Sequence, residues 1–114
     1  MRDNDLQNLS RTDICLWLDF YGELLTNHTR DVLELHFSED MSLSEIAENL
    51  GITRQAVHDR IRQGTGSLMG FEDKLGLAAR FKTQKVFLAE ALQALDNGEM
   101  TIVREKLQQL NANL

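Results

Sequence analysis

The chain has 114 residues, of which 42% are apolar and 26% charged, and a formal net charge of -6. That length holds one small domain, or one domain with an appendage, and the apolar fraction excludes a wholly disordered chain. Proline is absent and helix formers dominate, so no segment is forced out of helix and the pattern predicts an all-α protein.

The first residues, MRDNDLQNLSRTD, are polar and contain no apolar stretch, so a flexible N-terminus over 1–12 and no signal peptide are expected. Helix one is predicted over 13–25, where Ile14, Leu16, Trp17, Phe20, Tyr21, Leu24 and Leu25 recur at three- and four-residue spacing. The one cysteine, Cys15, lies in this run. It excludes an internal disulfide, reads as a small buried hydrophobe and fits a reducing cytoplasm. Helix two is predicted over 27–37, with Thr26 as its N-cap.

Ser42-Leu43-Ser44-Glu45 has the S-x-x-E form of a capping box. It starts helix three, whose inner face is Ile46, Ala47 and Leu50. Gly51 supplies a left-handed turn, and Thr53 caps helix four, which begins at Arg54. Helix four keeps Val57 and Ile61 inward. The run GTGSLMG then places Gly64, Gly66 and Gly70 close together. Each glycine costs a helix about 1 kcal/mol against alanine, which predicts a break, kink or hinge there.

Helix resumes over 71–96, with Gly76 as a further point of interruption and Phe81, Leu88, Leu92 and Leu95 along one side. Asn97-Gly98 predicts a cap and turn, and a last helix over 101–110 carries Val103, Leu107 and Leu110. These two tail helices can pair as a hairpin. The expected organisation is a helix-turn-helix domain over 13–70 and a helical tail over 71–114 that serves as a dimerisation hairpin. No apolar run approaches the ~20 residues needed to span a bilayer, so membrane insertion is not expected and a cytoplasmic protein is.

The stretch NLGITRQAVHDRI fits a helix-turn-helix at several fixed offsets. Ala47 is small where two helices touch, Gly51 stands at the sharp turn, and Ile46, Leu50, Ile52 and Val57 fill the angle. Turning ~100° per residue from Val57 and Ile61 points Gln55, His58, Asp59 and Arg62 outward, with Arg54 and Arg60 on the flanks. In such a motif the start of the second helix meets base edges in double-stranded DNA. Gln55 suits adenine and an arginine suits guanine, while Arg60 and Arg62 suit phosphates. Thr53 and the free N–H groups at the helix start suit one phosphate more. Asp59 is discordant. It could accept from a cytosine amino group, pair with Arg62, or stand as a solvated charge.

Charge is unevenly spread. Residues 1–50 carry three basic and eleven acidic groups, net -8; residues 51–85 carry seven and three, net +4; residues 86–114 carry two and four, net -2. The motif therefore opens the only net-basic segment, yet residues 51–64 hold just three arginines against one aspartate. Few phosphates could be neutralised, so each head should bind weakly and lose affinity in salt. The acidic N-terminal half supports a second reading, an adaptor that meets a basic protein or ribonucleoprotein with little DNA binding.

Other chemistry finds no support. His28, His36 and His58 lack metal-ligand spacing, so no metal is expected. The serines have no nucleophile elbow. GTGSLMG lacks the preceding strand and the lysine of a phosphate loop. Neither a cofactor nor enzymatic activity is expected.

The segment 16-LWLDFYGELLTNHTRDVLELHFSEDMSLSEIAENLGITRQAVHDRI-61 resembles the YlxM family of small bacterial helix-turn-helix proteins. The marks are FYGELLT, the acidic loop before SLSEIAE, and ITRQAVHD. More loosely, it is similar to region 4 of sigma factors. The resemblance implies a domain of the winged-helix-type superfamily without a wing, and a DNA-binding regulator. It also implies a part in the signal recognition particle pathway, with that particle's GTPase or RNA as a partner. A long charged helix after the motif is the family's pattern, and GTGSLMG departs from it.

Overall fold

A computed structural model describes residues 10–114. Its elements are α1 (Arg11–Tyr21), α2 (Asn27–Leu33), α3 (Leu43–Leu50), α4 (Arg54–Leu75), α5 (Leu77–Asp96) and α6 (Met100–Asn113). A 3-10 turn at Gly22–Leu24 and a π turn at Glu34–Ser38 extend α1 and α2. Among the described residues there is no strand, and the protein is all-α. Of the flexible N-terminus expected over 1–12, residues 1–9 lie outside the described residues, and Arg11 and Thr12 are instead the first turn of α1, capped by Ser10. Residues 10–75 and residues 76–114 form two compact units.

In the first unit each start is capped as its sequence dictates. Ser10 accepts from the Asp13 N–H at 3.0 Å, so α1 starts at Arg11, two residues before the expected start at 13. Thr26 accepts from the Thr29 N–H at 3.3 Å. Ser42 and Glu45 exchange both capping-box bonds, at 3.0 and 3.1 Å. Gly51 takes φ 68°, in the left-handed region, and the next N–H, that of Ile52, closes onto the Ala47 carbonyl at 3.0 Å.

Two apolar clusters hold these helices together. One joins Ile14, Leu18 and Tyr21 of α1 to Leu33 of α2 and Leu68 of α4. The other joins Val32 of α2 to Ile46 and Ala47 of α3 and Val57 of α4. Half-buried Ile61 packs against both. Leu50, expected in the angle between α3 and α4, is 37% exposed instead. It lies on the last turn of α3, outside the buried cluster of that angle.

The break expected at GTGSLMG does not occur. α4 runs unbroken through Gly64, Gly66 and Gly70 to Leu75. The reason is tertiary. A Cβ on Gly64 would come within 2.6 Å of the Leu33 side chain and 2.7 Å of Thr29, so the bare glycine lets α2 cross α4 closely. That crossing seats Leu68, fully buried, in the first cluster. Farther along α4, Glu72 accepts a 2.6 Å hydrogen bond from the Tyr21 hydroxyl, and Phe71 lies against the Tyr21 ring. The helix cost of the glycines is met by this packing. Helix ends at Gly76, where φ is 64°.

Arg11 was not expected to matter. Its guanidinium donates to the Phe37 and His36 carbonyls at 2.8 and 3.2 Å and to Asp40 at 2.7 Å. These bonds satisfy carbonyls at the π turn. Cys15 donates to the Phe37 carbonyl from the same side, at 3.4 Å, and is half-buried.

The second unit is a hairpin. α5 ends at Asp96, Gly98 turns at φ 74°, and α6 begins at Met100. Glu90 and Lys106, each eight residues from Gly98, form a 2.6 Å ion pair. Their equal spacing from the turn makes the pair antiparallel. Glu90 holds the Lys106 ammonium above its usual range.

Candidate nucleic-acid interface

The opening of α4 is built from the turn outward. Gly51 redirects the chain, Thr53 accepts from the Ala56 N–H at 3.0 Å, and Val57 is wholly buried. Burying Val57 fixes the rotation of the helix, and the rotation decides which side chains reach solvent. Gln55, His58, Asp59 and Arg62 are exposed, as the spacing predicts, and so are Thr53 and Arg54 at the helix start.

Gln55 and Asp59 do not stand independently. The Gln55 amide donates to Asp59 at 2.9 Å across one turn, and the His58 ring nitrogen lies 3.8 Å from the same carboxylate oxygen. The discordant aspartate thus orients the glutamine. An oriented amide loses less rotamer freedom on meeting a base edge. It must also give up or share its bond to Asp59 when it does so.

Arg60 is placed differently from Arg62. It is half-buried and lines a groove of about 360 Å³ with Thr26, His28 and Thr29 of the α2 start and Gln63 and Ser67 of α4. This groove lies to one side of the exposed line of Gln55, Asp59 and Arg62. Hydroxyls and a guanidinium line it together, which spacing within α4 alone could not disclose, because the other wall comes from residues 24–29.

A second groove is edged by acidic side chains. Asp31, Glu34 and Glu39 edge a groove of about 240 Å³ floored by Leu35 and Leu50. The exposure of Leu50 therefore belongs to a concave patch rather than to a packing defect. Among the described residues, no group of three or more histidine, cysteine or carboxylate side chains is placed to hold a metal ion, and no helix is long and apolar enough to cross a membrane.

A short bihelical angle with a glycine turn, a capped second helix and an exposed polar leading face defines a helix-turn-helix protein. The chain belongs to the UPF0122 family, whose sequence profile, described as "Putative helix-turn-helix protein, YlxM / p13 like", matches residues 9–109. Its relatives include a UPF0122 protein of Desulforamulus reducens, 43% identical over 71% of this chain and 69% of its own. A second, from Symbiobacterium thermophilum, is 38% identical over 87% of this chain and 92% of its own. A third, from Acetivibrio thermocellus, is 41% identical over 83% and 84%. The YlxM resemblance read from FYGELLT and ITRQAVHD is thereby established.

Proposed function

We propose that this protein is a DNA-binding regulator that lays the first two turns of α4 in the major groove. The observation that carries this reading is the exposed set Thr53, Arg54, Gln55, His58, Asp59 and Arg62 on a helix whose rotation is locked by buried Val57. Arg54 and Gln55 lead and read base edges, Arg62 holds a phosphate, and the Thr53 turn receives another. Arg60, set back in its groove, meets the flanking backbone.

With few cations on the face, one head binds weakly, and a homodimer reading two half-sites supplies the rest. The reading places the protein in the cytoplasm, where its DNA is. Gel retardation of duplex DNA at low salt tests it. Arg54→Ala with Gln55→Ala should weaken binding at least tenfold, and unchanged retardation would remove α4 from the mechanism.

A second reading rests on the acidic groove at Asp31, Glu34 and Glu39. There the protein acts as an adaptor for a basic partner, and the likeness to YlxM names the signal recognition particle's GTPase or RNA. Co-purification with that particle at modest salt supports it, and no association there sinks it.

A further inference from the structure

The groove beside Arg60 has a chemistry that the exposed face of α4 does not account for. Its α4 wall is Arg60, Gln63, Ser67 and Phe71. Spacings of three, four and four put these side chains on one stripe of the helix. At ~100° per residue the stripe lies about a third of a turn from Gln55, Asp59 and Arg62. The groove is therefore a surface of its own. Its second wall, residues 24–29, sits directly on α4, since a Cβ on Gly64 would meet the Thr29 methyl at 2.7 Å. Packing of α2 on α4 thus forms the groove in advance of any ligand.

The lining runs against the charge of the chain. The sequence has 18 acidic residues against 12 basic ones, yet none of the nine lining residues is acidic. Arg60 is half-buried, and among the described residues it has no hydrogen-bond or ion-pair partner. A guanidinium that has lost part of its water, with no carboxylate on the walls around it, favours an anion from outside. Gln63, Ser67 and His28 are likewise uncommitted among the described residues. Thr26 donates to the Thr29 hydroxyl at 3.0 Å, which leaves the Thr29 proton for another acceptor.

The α4 wall changes character along its length. Arg60 and Phe71 are eleven residues apart, which is ~16 Å of helix at ~1.5 Å per residue. The wall is cationic and polar where it starts and apolar where it ends. Phe71 and Leu25 pack on the same cluster, and Leu24, 60% exposed, lines the groove with them.

We propose that this groove binds a free nucleoside 5′-monophosphate. The phosphate pairs with Arg60, Gln63 and Ser67 serve the ribose hydroxyls, and the base lies against Leu24 and Phe71. A planar guanidinium meets a phosphate through two parallel bonds, and an apolar wall with an aromatic ring suits the flat face of a base. The volume of about 360 Å³ is near the lower end of the ~300–1,000 Å³ of small-molecule sites, which matches one mononucleotide. Inorganic phosphate would leave the apolar end bare, and a nucleoside would leave Arg60 unpaired. Ser67 comes from GTGSLMG, but it acts from the side of a helix, and no phosphate loop is involved. The site does not depend on the DNA-binding reading.

Titration of the isotope-labelled full chain, followed by amide NMR without DNA, tests the site. AMP, GMP, CMP and UMP are added singly, with inorganic phosphate and adenosine as separate arms. At least one nucleotide should shift the amides of residues 24–29 and 60–71 with a Kd below about 1 mM. It should bind at least tenfold more tightly than inorganic phosphate or adenosine. Gln63→Glu keeps the shape of an exposed side chain and sets a carboxylate in the groove, so it should weaken binding at least tenfold. Arg60→Gln should do the same. Arg104→Gln removes one cation from the second unit and should bind as the wild type does, which separates the groove from net charge. The same spectra report whether each variant is folded. Absence of shifts at those amides up to about 10 mM of every nucleotide overturns the proposal. So does inorganic phosphate or adenosine that binds as tightly, or full binding by folded Gln63→Glu. Since no DNA is present, failure of the regulator reading in gel retardation leaves this result untouched.

Discussion

Gly64 and Gly70 stand six residues apart on α4 and answer to opposite physics. At Gly70 a Cβ would meet nothing within 4 Å, whereas at Gly64 it would press on Leu33 and Thr29. Leu33 is wholly buried and has no room to move aside. Gly70→Ala should therefore stabilise the protein by about 1 kcal/mol through helix propensity alone. Gly64→Ala should destabilise by on the order of 1 kcal/mol net, since overpacking costs ~1–3 kcal/mol against the same propensity gain. Urea denaturation of the two variants gives both signs. Thr65 offers a second residue-scale test. It is 3% exposed and its hydroxyl has no hydrogen-bond partner. Thr65→Val keeps the shape and removes the orphan group, and should raise stability by about 1 kcal/mol. A lower urea midpoint for that variant would mean that the hydroxyl is satisfied in solution.

At the scale of elements, α3 shows how far local chemistry reaches. Its capping box was readable from four letters, and the bonds form as spelled. The Ser42 backbone N–H, followed by the Ser42 hydroxyl contact, holds the Glu45 carboxyl below its ordinary value of 4.5. A depressed carboxyl contributes stability that is present above the unfolded value and is lost as pH falls through the folded one. Wild type should thus exceed Glu45→Gln in stability near neutral pH, and the gap should close as pH drops below about 4; thermal melts along a pH series measure it. Ser42→Ala should cost about 1 kcal/mol. Long-range ties lie beyond such reading. Tyr21→Phe removes the bond to Glu72, fifty-one residues away, and should cost about 1.5 kcal/mol because the acceptor is a carboxylate.

For the whole molecule, the charge balance bears on the proposed DNA binding. The basic segment is short, so few phosphates would be neutralised, and affinity should start from a modest value and fall with salt along a shallow slope. Arg62→Ala should weaken binding to all sequences alike and lower the salt slope by ~1. Gln55→Ala should change preference between sequences more than it changes the slope. Fluorescence anisotropy on random and operon-derived duplexes separates the two effects.

The letters of the chain carried its local events: the caps at Thr26, Ser42 and Thr53, the turn at Gly51, the amphipathic stripes, the rotation of the motif and its family. These depend on neighbours within a turn or two, where propensity and periodicity act. GTGSLMG was misread for the complementary reason. A glycine's local cost is visible in sequence, while the helix that packs onto it comes from residues 29–33 and is not. Arg60 kept its place on the flank, but the groove it lines could not be read from its own helix, because residues 24–29, distant in sequence, supply the other wall. Close helix crossings and grooves between elements are properties of pairs of helices, and only the folded chain brings those pairs together.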